Sequence, residues 1–117
     1  MRIQVKPISG EFAIDMDNGQ RLYDRLVKAL RESTDVVELD FEGVKVYATP
    51  FLNSAIGQLL RIFKAEELRS RLEFKNMADH GLSSVKRVVD SAKEYYTNED
   101  LRRSIDRVQQ KHAEDNQ

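Results

Sequence analysis

The chain has 117 residues, 40% hydrophobic and 33% charged. That length holds one core and excludes two full domains. Lys and Arg number 19 against 20 Asp and Glu, for a net charge of −1, which gives no basic field for nucleic acid. There is no cysteine, so disulfide and thiolate chemistry are excluded, and a cytoplasmic setting is the expectation. The start Met1-Arg2-Ile3-Gln4-Val5 lacks the apolar core of a signal peptide. No apolar run approaches the ~20 residues of a membrane span, so no membrane role is expected.

In chain order, residues 2–6 alternate, with Ile3 and Val5 against Arg2, Gln4 and Lys6. This predicts a half-buried strand ended by Pro7. Ser9-Gly10 reads as a turn. Phe12 and Ile14 alternate again, predicting that residues 11–16 form the second strand of a hairpin. Asp17-Asn18-Gly19 breaks it. Leu22, Leu26, Ala29 and Leu30 then recur at helical spacing, opposite Arg21, Asp24, Arg25 and Lys28, as in an amphipathic helix.

Ser33-Thr34-Asp35 ends that helix. Val36, Val37, Leu39 and Phe41 are nearly continuous, predicting a central strand covered on both faces. Glu42-Gly43 turns the chain, and residues 44–47 add a short strand. Thr49 and Pro50 mark a helix start, Thr49 as N-cap and Pro50 at the first helical position. This helix is expected over 50–63, burying Leu52, Ala55, Ile56, Leu59 and Phe63. Gly57 at its middle implies close helix–sheet contact. Residues 64–71 form a charged short helix or turn, and Leu72-Glu73-Phe74 a last strand closing with Asn76. Asp79-His80-Gly81 reads as a loop. Leu82, Val85, Val89, Ala92 and Tyr96 define a third helix.

Asn98 caps a fourth segment whose apolar face is thin: Leu101, Ile105 and Val108. Too few apolar groups are present for it to hold as an isolated helix. The expected organisation is a domain over 1–97 and a C-terminal helical extension over 98–117, unstructured from His112. The extension is expected to fold back on the domain, pair with its copy in a homodimer or dock on another protein, the last two being favoured because the core looks complete by Tyr96. Strands alternating with helices give an α/β fold. The expected form is a small mixed sheet with helices packed mainly on one face, because only three amphipathic helices are available.

Chemistry-bearing patterns are sparse. His80 and His112 are the only histidines and have no carboxylate or Cys at ligand spacing, so no metal site is expected. No Gly-rich phosphate loop, Gly-x-Ser-x-Gly elbow or His-Glu-x-x-His is present. No catalytic residue and no cofactor are assigned, and the chain reads as a non-enzyme. Asp40 ends the central strand, where α/β sheets place ligands, or its carboxylate serves the turn amides around Gly43. Thr49 is either a plain cap or a candidate phosphoacceptor, and Ser54 one turn on is a second. Asn53 faces a partner or the neighbouring loop. Of Tyr95 and Tyr96, one ring packs and the other lies at the rim.

Three stretches carry a family resemblance: Leu39-Asp40-Phe41-Glu42-Gly43-Val44, then Thr49-Pro50-Phe51-Leu52-Asn53-Ser54-Ala55-Ile56-Gly57-Gln58-Leu59, and the helix over 88–96. They resemble the STAS domain (sulfate transporter and anti-sigma factor antagonist), most closely its STAS-like relatives of unassigned function. The resemblance spans about residues 1–97. It implies a non-catalytic, protein-binding regulatory module docking on a histidine-kinase-like ATPase or anti-sigma factor. The surface it implies comprises Tyr47, Thr49, Pro50, Phe51, Leu52 and Asn53; by helical geometry one of Phe51 and Leu52 is expected to point outward. In the phosphorylated antagonists the strand leads into Asp-Ser-Ser-Gly, whose second Ser is modified. The matching positions here are Ala48-Thr49-Pro50-Phe51, with Pro50 at the acceptor position, so phosphorylation is not expected to be the main switch. The alternative is a small-molecule or nucleotide sensor using the Thr49–Pro50 helix N-terminus as an anion site.

Overall fold

A computed structural model describes residues 1–115, with side chains described through Thr97. Strand β3 (Val37–Asp40) lies at the centre of a three-stranded sheet, between β1 (Arg2–Gln4) and β5 (Leu72–Lys75). Both pairings are parallel and set Ile3, Leu39 and Phe74 side by side. Because side chains alternate along a strand, this row shares a face with Val5, Val37, Phe41 and Leu72. That face is the core side, packed with Leu22, Leu26, Phe51, Leu52 and Leu59. The other face carries Arg2, Glu38 and Glu73 in one row and Gln4, Asp40 and Lys75 in the next. The helices therefore pack mainly on one face, as the sequence implies. β3 is not covered on both faces: Val36 is exposed, and Glu38 and Asp40 turn to the polar side.

The α/β class holds, with two corrections to the sheet. All strand pairs among the described residues are parallel, so the sheet is not mixed. The expected hairpin is absent from them too: a one-turn helix α1 (Lys6–Ser9) follows β1, and β2 (Phe12–Ala13) pairs with β4 (Val46–Tyr47). Alternation identifies a strand but does not name its neighbour. Pro7 opens α1 instead of ending a strand, since a missing N–H is harmless in a first turn.

Helix α2 (Met16–Glu32) starts earlier than its apolar period suggests. The Asp15 carboxylate caps it, accepting the Asn18 N–H at 2.8 Å, and so draws Asp17-Asn18-Gly19 into the first turn. Its far end is closed from another element. Arg71 donates from Nε to the Asp35 carbonyl at 3.1 Å, and from its two amino nitrogens to Leu30 at 3.3 Å and Ser33 at 2.5 Å. A guanidinium thus satisfies carbonyls that a helix end leaves open.

Past β4 the single helix expected over 50–63 is two pieces. α3 (Thr49–Ala55) gives way to a 3-10 segment, Gly57–Arg61, before α4 (Ala65–Arg71). Gly57 sits against Val88 and Ala92, so its close neighbour is a helix and not the sheet. That helix, α5 (Asp79–Asp115), takes in Asp79-His80-Gly81, read above as a loop, as its first turn. It runs unbroken past Asn98, so the cap expected there does not form, and the backbone is helical from His112 to Asp115. The side chains of Leu101, Ile105 and Val108, and any dimer contact they make, lie outside the described residues, as do positions 116 and 117.

Candidate functional site

The junction between β4 and α3 is built by hydrogen bonds from β2. The Ala48 N–H donates to the Ala13 carbonyl at 2.8 Å, and the Ala48 carbonyl accepts from Leu52 at 3.1 Å. Ala48 has extended backbone (φ −87, ψ 147) and occupies the cap position, with no side chain capping the helix. Thr49 is therefore the first helical residue and Pro50 the second, one place later than the sequence suggests. Both are exposed.

The rest of α3 turns inward. Phe51 and Leu52 are both fully buried, which corrects the expectation that one of them points out. α3 is flanked by α2 and α5 and shares one core cluster with the sheet residues, and a helix packed on several sides buries an arc wide enough for consecutive residues. Ser54 is buried as well; its Oγ donates to the Met16 carbonyl at 2.8 Å and accepts from Gln58 Nε2 at 3.4 Å. It is a strut between α2 and α3. Of the expected surface, Thr49, Pro50 and Asn53 remain exposed.

Tyr47 is half-buried and committed to packing. Its ring meets Phe41 edge-on at 5.6 Å and His80 at 5.4 Å, while Phe41 stacks on Phe74 at 6.3 Å. A Cβ on Gly81 would lie 2.9 Å from the Tyr47 ring. Tyr47 thus holds the start of α5 against the sheet, and its partial exposure forms the edge of the junction. Tyr95 is exposed and Tyr96 half-buried, the division expected of the pair.

The surface around Thr49, Pro50 and Asn53 includes residues that the sequence reading misses. β2 pairs Phe12 with Val46 and Ala13 with Tyr47. Ala13 faces the core, so Phe12 (55% exposed), Ile14 (51%) and Val46 face outward. Alternation was legible there, but not which face turns inward; a one-residue shift exchanges the two faces of a strand. Met16, 65% exposed, continues this apolar surface to the start of α2. It lines an open depression of about 730 Å³ with Gln20, Pro50, Asn53 and Tyr96. A second, of about 230 Å³, lies between Thr49 and Asn53 and α5 residues Ser84, Arg87 and Ser91. Thr49 and Asn53 border both, forming a ridge between two grooves.

Asp40 resolves in favour of the turn. Its Oδ1 accepts from Asn76 Nδ2 at 2.8 Å and from the Glu42 N–H at 3.0 Å, and Oδ2 pairs with Arg2 at 2.7 Å. The Asn76 amide, then the Glu42 N–H, hold its carboxyl below the ordinary 3.8, with Arg2 adding to them and burial opposing. A depressed carboxylate stabilises the fold above its unfolded pKa and loses that contribution as pH falls through the folded value. Melting temperature should therefore fall as pH drops below about 4. Asp40→Asn should melt lower than the native chain at neutral pH, because Arg2 loses its charged partner, and should respond less to acid. Thermal melts from neutral to acid pH check this; an unchanged acid slope in the variant would refute it.

Among the described residues, no group of three His, Asp or Glu side chains is placed to hold a metal ion. No helix there is long and apolar enough to cross a membrane. The parallel β1–β3–β5 sheet with helices on one face, and a junction strand feeding α3, define a STAS-like α/β domain. The family model for the STAS-like domain of unknown function (DUF4325) matches residues 18–82, over half the chain, and the chain belongs to that family. No curated protein and no solved structure matches it.

Proposed function

We propose that this chain is a non-catalytic regulatory module that docks on a protein partner through the Thr49–Asn53 ridge and the apolar surface beside it. The observation that carries the reading is that surface: Phe12, Ile14, Val46 and Met16 are all exposed next to a helix start. Contiguous exposed apolar side chains rimmed by polar ones mark interaction sites. Two grooves flanking a ridge add the shape that fixes a partner's register. The STAS-like resemblance favours a histidine-kinase-like ATPase or anti-sigma factor as the partner. Pro50 is exposed where the phosphorylated antagonists carry their acceptor, so docking here is not gated by phosphate at that position. An anion site at the same helix start has less support, since α3 has seven residues and Pro50 removes one of its first amides.

The test is titration calorimetry against an ATPase of that class from the native host. Met16→Asp and Asn53→Arg should each weaken binding about tenfold or more. Both positions are exposed, so stability should stay within about 0.5 kcal/mol. Unaltered affinity in both variants would remove this surface from consideration.

A further inference from the structure

We infer that the apolar groove between α4, β5 and α5 is a binding site for a medium-chain carboxylate, a short apolar body with one anionic head. This goes beyond the docking surface: the groove shares no lining residue with either depression beside Asn53. β5 is the last strand of the sheet, so no further strand covers the gap where α4 enters it and α5 leaves. The cavity there is about 300 Å³. Its walls are Ile56, Ala65, Leu68, Leu72, Phe74 and Val89.

Size and charge choose the occupant. At about 300 Å³ the groove is at the lower end of small-molecule sites. The polar groups at the groove are Arg69, Lys86 and Asp90. All three are exposed, and none forms an ion pair among the described residues. Two cations against one carboxylate leave the groove net positive beside an apolar interior. An anionic head meets Arg69 and Lys86 while its chain displaces water from Leu68, Phe74 and Val89. A neutral chain gains only the second contribution, and a cationic head meets repulsion. Asp90 opposes the anion, which gives the site a second charge signature.

The probe is decanoate below its micelle concentration, followed by methyl chemical shifts on the full chain, with decanol and decyltrimethylammonium as controls. Saturable shifts centred on Leu68, Leu72 and Val89 are expected with decanoate. The cationic analogue should bind about tenfold more weakly or not at all. The double variant Arg69→Gln, Lys86→Gln should weaken decanoate about tenfold and leave decanol unchanged. Asp90→Asn should tighten decanoate. Ala65→Phe, which fills the groove, should abolish the decanoate shifts; the charge variants are at exposed positions and keep the test open even if Ala65→Phe disturbs folding. Scattered or unsaturable shifts with decanoate would overturn the inference. So would equal affinity for the carboxylate and the quaternary ammonium, or indifference to the charge variants.

Discussion

Phe51→Ala should destabilise the domain by about 3–5 kcal/mol, as expected for deleting a fully buried aromatic ring. A domain of this size holds roughly 5–15 kcal/mol in all, so this one change removes a large share of its stability. The ring sits at the end of α3 that carries the exposed ridge, and this is why the result matters for function. Loss of partner binding in Phe51→Ala or Leu52→Arg would report a lost fold. Loss in Asn53→Arg, two residues from Phe51, would report a lost contact. Denaturant titration of the three variants separates the cases. A Phe51→Ala cost under about 1 kcal/mol would mean that the side chain is not in the core, and would restore it to the surface.

Much of the architecture was legible because it depends on local pattern. Leu22, Leu26, Ala29 and Leu30 specify the buried stripe of α2. Val37, Leu39 and Phe41 specify the inner face of the central strand. What failed depends on partners distant in sequence. Nothing in residues 11–16 states that they lie beside Val46 and Tyr47 and not beside β1. That pairing decides which way Phe12 and Ile14 face. The exposed apolar surface was therefore hidden in a segment whose alternation was plain. Similarly, Phe51 and Leu52 are adjacent in sequence, and a helix packed on one side would expose one of them. α3 packs against both α2 and α5, and both residues are buried.

The element ends show a related limit. Asp15 and Arg71 fix the two ends of α2, one from the preceding residue and one from a helix far along the chain. The first is a local cap that a reading centred on apolar residues passed over. The second leaves no trace in the residues it closes. Asp40 was legible as one of two roles. Asn76 decides between them, 36 positions away, by occupying the same oxygen that accepts from Glu42.

Gly19→Val should be strongly destabilising, and Gly57→Ala its opposite in sign. Gly19 lies in the first turns of α2 where α3 crosses it. A Cβ there would sit 2.7 Å from the Phe51 carbonyl oxygen, 2.7 Å from Ser54 Cβ and 3.0 Å from its Oγ. One of these is backbone and cannot swing aside, so α2 and α3 must separate. Overpacking of this kind costs about 1–3 kcal/mol, and the branched Val side chain places it at the upper end. For Gly19→Ala the helix-propensity gain of about 1 kcal/mol offsets part of the clash, leaving a smaller loss. At Gly57 the added methyl would meet Val88 Cγ1 at 3.4 Å and Ala92 Cβ at 3.7 Å, ordinary contact distances. Gly57→Ala should therefore be neutral or stabilising by up to about 1 kcal/mol, because it also reduces the entropy of the unfolded chain. Thermal and denaturant melts of the three variants give the order Gly57→Ala, Gly19→Ala, Gly19→Val from most to least stable. Separation of α2 from α3 would also move Met16 away from Pro50 and Asn53, so Gly19→Ala should weaken partner docking without touching an exposed residue. A Gly19→Val variant as stable as the native chain would show that the two helices do not approach at this point.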